Sequence, residues 1–241
     1  MARSDPVLLL FRADLRLADN LALSAAAQTG RPMLPAFILD EENEGVRPFG
    51  AAKKWWLHRS LTALADTLQA LGTRLVRKRG KTVEVVRQLV AETGAGAVFW
   101  NRRYQPREAA ADDAMAAALA AGGVEASSHD GALLHDPTMV ATASGKPFQV
   151  FSAFWRVVQQ ADPPRPPADP QASLNAYGGK VASDRLDDWN LMPSKPNWWQ
   201  PFEPIWSPGE HGAHQALDAF LDEAIDGYET GRDIPRRSGL C

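Results

Sequence analysis

The 241-residue chain has a single cysteine, Cys241, and it is the last residue, which excludes an intrachain disulfide and any multi-cysteine metal site. No stretch approaches the ~20 consecutive apolar residues of a membrane-spanning helix. Met1 to Asp5 lacks the charged-then-apolar pattern of a secretory signal, so a cytoplasmic protein with no membrane partner is expected. Charge of one sign is also lacking. A net charge of −3 gives no general attraction to a polyanion, and only Arg102, Arg103 and Arg107, and Lys53, Lys54 and Arg59, form local basic groups. Glycines are missing where a dinucleotide fingerprint would need them: Phe11-Arg12-Ala13-Asp14-Leu15-Arg16 follows the first apolar run instead, which argues against nicotinamide binding. Gly145-Lys146 lacks the earlier glycine and the following Ser or Thr of a phosphate loop and reads as a polar turn. His58 and His129 have no partner at ligand or triad spacing, so no metal ligand and no catalytic residue is assigned.

What is present is enough apolar material, 45% of residues, for a sizeable core. Short apolar runs at Pro6–Phe11, Met33–Leu39 and Ala97–Trp100 read as buried strands, with weaker ones at Thr73–Arg77 and Val124–Ser127. Helical patterns lie between them. From Gly50 to Leu71, Leu57, Leu61, Leu64, Leu68 and Leu71 recur at spacings of four and three and make one apolar stripe. Thr82 is placed to cap a helix bearing Val83, Val86 and Val90, and an alanine-rich helix follows Pro106 and ends near Gly122 and Gly123. Asp19 is placed to cap a helix starting near Asn20. The alternation predicts an α/β fold over residues 1–130: a Rossmann-like three-layer α/β/α domain with a parallel five-stranded sheet, in which a strand order of 3-2-1-4-5 would put the switch crevice between the first and fourth strands.

After Asp130 the periodicity fades, prolines crowd between Pro163 and Pro208, and Trp189, Trp198, Trp199 and Trp206 appear. Residues 131–206 read as a long connector whose aromatic content places it against a folded surface. Ser207-Pro208-Gly209-Glu210 supplies a helix start, with Ser207 as cap, Pro208 at the first position and Glu210 as capping-box partner of a helix running to about Gly227. Its stripe of Leu217, Phe220, Leu221 and Ala224 needs something to pack against, and only about fourteen residues follow. Residues 207–241 are therefore expected to be the first helix of a truncated all-α domain.

Taken in order, several stretches resemble the DNA photolyase and cryptochrome family. The opening Phe11-Arg12-Ala13-Asp14-Leu15-Arg16-Leu17-Ala18-Asp19-Asn20 is followed by Arg47-Pro48-Phe49-Gly50, Trp55-Trp56-Leu57-His58-Arg59 and Trp100-Asn101-Arg102-Arg103-Tyr104-Gln105-Pro106. Gly145-Lys146-Pro147-Phe148-Gln149-Val150-Phe151, Trp206-Ser207-Pro208-Gly209-Glu210 and Tyr228-Glu229-Thr230-Gly231-Arg232-Asp233-Ile234-Pro235 continue the series. Ordered matches of this kind are far more specific than any one of them alone. Beyond Pro235 the resemblance ends: the family continues with a segment that cradles flavin phosphates, whereas this chain reads Arg236-Arg237-Ser238-Gly239-Leu240-Cys241, as a truncated, frameshifted or split gene would.

The resemblance implies an antenna chromophore, a reduced folate or a deazaflavin, near the carboxyl edge of the sheet. Arg12, Asn101, Arg102 and Arg103 leave the first and fourth strands at that edge, across the switch crevice where open α/β sheets bind ligands. Arg12, Asp14, Arg16 and Asp19 also have a plain structural reading, pairing with neighbouring charges. Glu108 matches the acidic residue with which folate-binding members hold the pterin, but it reads equally as a first-turn acid at a helix N-terminus. Arg107 stands where such members often carry asparagine, so the choice of chromophore stays open. Trp55 and Trp56 either neighbour a flat chromophore or belong to the core. Tyr228 resembles the first flavin-contacting residue of the family's helical domain. The implied activity of complete members is splitting of pyrimidine dimers in UV-damaged DNA by an electron from reduced FAD. This chain is expected to be a light-harvesting, photolyase-related protein that neither holds FAD nor repairs DNA alone. The alternatives are a cryptochrome-type photosensor fragment and a stand-alone nucleotide- or cofactor-binding module.

Overall fold

The computed structural model describes residues 4–42, 48–137 and 139–234. Arg47, Pro235 and Cys241, singled out above, lie outside the described residues. Five parallel strands, β1 (Val7–Phe11), β2 (Met33–Leu39), β3 (Val76–Arg79), β4 (Ala97–Asn101) and β5 (Glu125–His129), form one sheet in the order β3-β2-β1-β4-β5. Helices α1 (Leu21–Gln28), α2 (Ala51–Ala70), α3 (Thr82–Thr93) and α4 (Pro106–Ala121) supply the crossovers. The central strands β1, β2 and β4 are apolar nearly throughout and buried along their length, as two covered faces require. Val7, Leu9 and Phe11 meet the leucine stripe of α2 on one face, while Leu8 and Leu10 meet Val86, Leu89, Met115 and Leu119 of α3 and α4 on the other.

Strand β3 begins at Val76 rather than Thr73, and the cause is a competitor. Residues 175–177 bond to Met33, with Met33 N donating to Asn175 O (2.7 Å) and Tyr177 N donating to Met33 O (2.9 Å), so the start of β2 is already paired. Further on, Asp184 N donates to Arg77 O, and the Ser183 hydroxyl accepts from Arg77 N, covering the outer edge of β3. The same segment inserts Leu186, Trp189 and Leu191 into the core on the α2 face. The stretch 175–191 thus lies against the folded body, with Trp189 buried in it.

Three cap assignments are corrected. Asp19 does not cap α1: it sits at φ 49°, and Asn20 accepts from Leu23 N instead (3.0 Å), being extended as a cap must be. Thr82 is the first helical residue of α3, and Asp40 from the end of β2 takes both its amide and its hydroxyl. Gly209, not Ser207, precedes the helix α6 (Glu210–Glu223), and Glu210 turns its carboxylate away from its own helix start. Past Glu223 a single 3-10 turn intervenes before the short α7 (Tyr228–Gly231), so the helix ends earlier than predicted. Within the connector there is also α5 (Phe151–Val158), which the proline-rich surroundings hid.

Candidate functional site

The β1–α1 loop, residues 12–20, is built almost entirely from its own polar side chains. Arg16 donates to Ala18 O, Asp19 O and Gly131 O, tying the loop to the chain just after β5. Asn101, at the end of β4, is 3% exposed and joins the loop to the neighbouring strand. Its Oδ1 accepts from Ala22 N (3.0 Å), and its Nδ2 donates to Asp14 (2.5 Å) and Asn20 (2.8 Å). Helix α1 therefore has two first-turn amides satisfied by side chains, one from Asn20 and one from a residue 79 positions away.

Beside this hub lies a buried charge cluster. Arg12, 8% exposed, donates through Nη2 to Asp112 Oδ1 (3.2 Å), and Arg103 grips the same carboxylate through Nε (3.1 Å) and Nη2 (2.6 Å). Asp14 and Asp40 add further negative charge around Arg12. Burial first, and then the charge of Arg103, pull the Arg12 guanidinium down to about 10, against the opposing pull of Asp112. Arg12 Nε has no hydrogen-bond partner among the described residues although it is buried.

These groups border a cleft of about 740 Å³ at the carboxyl edge of the sheet, a size suited to a small organic ligand. Arg12, Asp14, Arg103 and Glu108 supply polar lining, and Phe37, Trp56 and Leu217 are among the apolar residues. Glu108 accepts no side-chain hydrogen bond among the described residues; only its backbone oxygen is used, by Arg103. Trp56 is half-exposed and lines the cleft, while Trp55 beside it is buried and does not. Lys53 lies 3.9 Å over the ring of Phe49 at the rim. The cleft is thus able to hold a flat group by stacking and to orient its edge by hydrogen bonds.

Of the residues singled out from sequence, Arg12, Arg103 and Glu108 come together at the cleft, while Asn101 lies outside its lining and bonds Asp14, which belongs to it. Arg102 does not line it: its amide bonds His129 O and its side chain pairs with Asp130 (3.0 Å), where Tyr104 also donates. Tyr228 does not line it either, being 42% exposed on α7 against Phe220 and Arg232. Asp112 was not anticipated, and Glu210 was read only as a capping-box partner, whereas its carboxylate bonds Leu17 N and Ala18 N. The only signal for Asp112 is an acid four positions after Glu108, on the same face of an alanine-rich helix. Among the described residues no group of three acidic, histidine or cysteine side chains could hold a metal, and no helix is long and apolar enough to cross a membrane.

Comparison with known proteins returns a consistent set. The family model described as DNA photolyase matches residues 7–171. A deoxyribodipyrimidine photo-lyase of Agrobacterium fabrum is 46% identical over 235 residues, covering 98% of this chain and 48% of that protein. Cryptochrome-1 of Arabidopsis thaliana is 33% identical over 228 residues, covering 92% of this chain and 33% of that one. The crystal structure of a bacterial class III photolyase from Agrobacterium tumefaciens superposes with a TM-score of 0.92 at 44% identity, over 98% of this chain and 48% of that one. The chain spans about half the length of the photolyases it matches.

Proposed function

This chain belongs to the DNA photolyase family, and from that premise we propose that it is a light-harvesting part of a photolyase, its cleft holding an antenna chromophore. The observation that carries the reading is the unpartnered Arg12 Nε–H, buried beside a cleft of mixed polar and apolar lining and lacking an acceptor that a ring carbonyl or ring nitrogen would supply. A reduced folate or a deazaflavin fits this chemistry: both are flat, with a polar edge for Arg12 and Glu108 and a face for Trp56. Such a chromophore absorbs near-ultraviolet or blue light and passes the excitation on. The chain's own residues hold and orient it, and exclude water from its faces.

The three-part organisation, 1–130 as antenna domain, 131–206 as connector and 207–241 as the start of a helical domain, belongs to the same proposal. Family members also use FAD. Here Tyr228 is exposed and does not line the cleft. Electron transfer from reduced FAD and the splitting of dimers in UV-damaged DNA are assigned to the remainder that the longer relatives carry. A cryptochrome-type photosensor would use the same cleft, and the similarity to Cryptochrome-1 supports that second reading.

The test is a near-ultraviolet and visible spectrum of the purified chain before and after incubation with a reduced folate, a deazaflavin and FAD. A stoichiometric folate or deazaflavin band, weakened by R12M and by E108Q, is expected. Absence of any chromophore band after all three incubations would overturn the antenna reading. Repair of dimer-containing DNA by this chain alone under blue light would overturn the assignment of chemistry to the remainder.

A further inference from the structure

One wall of the cleft is not made by the α/β body. Gly209, Glu210, Ala213, His214 and Leu217, from the start of α6, line it together with residues from the β1–α1 loop. No residue of α6 is buried, so this helix has no core of its own to seat it. What fastens it is a carboxylate: Glu210 Oε2 accepts from Leu17 N (2.8 Å) and Oε1 accepts from Ala18 N (2.7 Å). The two donors are successive backbone amides of the loop that carries Arg12, and neither has another acceptor among the described residues. Charge-assisted bonds to paired amides are the strong kind, and breaking them strands two donors at once. His214 Nε2 lies 3.9 Å from Glu210 Oε1, on the same side.

A second, independent clasp acts on the same loop. Asp19 N donates to Ala168 O, Asp19 Oδ1 accepts from Ala168 N (3.0 Å), and Arg165 pairs with Asp19 at 2.6 Å. It holds the connector across the cleft, where Pro167 to Pro170 are further lining, but it does not reach α6.

We infer that Glu210 is a positioning residue, a latch that seats α6 as a separable wall of the cleft, so that retention of a ligand depends on this carboxylate without the carboxylate binding the ligand. The part of the inference that concerns ligand retention rests on the chromophore reading; the seating of α6 does not. Because binding and seating share one wall, each stabilises the other by the same factor.

The experiment is amide hydrogen exchange on the 241-residue chain as wild type, E210Q and E210A, with chromophore dissociation measured in parallel. E210Q keeps one acceptor and E210A none, so the effects should be graded in that order. Exchange at Leu17, Ala18 and Ala213–Leu217 is expected to rise roughly tenfold to a hundredfold, with β1 and β4 amides unchanged and chromophore release accelerated to match. Chromophore binding to the wild type should slow exchange at Leu17 and Ala18. Unchanged exchange of α6 in E210A would overturn the latch, and so would faster release without faster exchange, which would make Glu210 a direct ligand contact. If E210A does not fold, the nearly isosteric E210Q decides on the same readouts. A wild type that takes up no folate or deazaflavin would fell the chromophore reading, while the exchange of α6 would still decide the latch.

Discussion

Asp112 balances two guanidinium groups, one of them almost wholly buried, and its removal leaves Arg12 charged and stranded while Arg103, on the rim, can turn to water. D112A is therefore expected to destabilise the fold by about 3 to 5 kcal/mol in urea unfolding. The double variant R12M/D112M should be less damaging than D112A, because an apolar pair in that position owes nothing to desolvation. His129, stacked on Phe99 and bonded to Ser127, is held below the ordinary imidazole value by burial, against the opposing pull of Asp130 and with a smaller push from the charge of Arg102. Its folded pKa being lower than its unfolded one, the unfolded chain takes up the proton first as pH falls. The stabilising contribution is thus present above about pH 6.5 and is lost as pH drops through the folded value. Unfolding midpoints measured from pH 7.5 downward should fall over that window, and the H129Q variant should flatten this part of the profile. At this scale the sequence was partly legible. Arg12 and Arg103 could be placed because strand ends at a switch crevice gather side chains, and Glu108 only through the family resemblance. Asp112 could not, since an acid in an alanine-rich helix looks solvent-facing until the tertiary partners are known.

The stretch Arg12 to Asn20 behaves as one element whose rigidity comes from side-chain to backbone bonds rather than from regular structure. Gly131 is part of its framing: a Cβ there would meet the Asn101 carboxamide at 2.6 Å, so only glycine lets the chain leave β5 so close to the hub. G131A is expected to push Asn101 off Ala22, Asp14 and Asn20 and to cost on the order of 2 to 3 kcal/mol, read from thermal unfolding. Strands, crossover helices and their order were legible because apolar runs and 3.6-residue stripes encode burial directly. Caps were not, because the side chain that satisfies a helix start came from elsewhere in the chain twice: Asp40 for α3 and Asn101 for α1. Helix α5 escaped notice because its face of Phe151, Phe154 and Trp155 covers little of the rest of the molecule, and only eight residues carry the period.

Among the described residues apolar side chains stay open on α5, where Phe151 is 74% exposed, and at the end of α6 and the turn after it, with Leu221 and Ile225. Patches of this kind drive association, so the chain should elute at a larger apparent mass as its concentration rises. Light scattering on F151S/W155S and on L221S should show that rise reduced, and a monodisperse wild-type monomer at every concentration would contradict it. The connector adds a consequence in time. Leu186, Trp189 and Leu191 complete the same apolar layer that β1 and β2 begin, and Asn175 to Tyr177 occupy the place beside Met33. On a ribosome adding about 5 to 20 residues per second, the sheet is synthesised several seconds before the segment that seals it. Until then Met33 and the Phe37 side of β2 lie uncovered in the nascent chain, so holdase chaperones should find their target there, and the last step of folding should be the return of the connector.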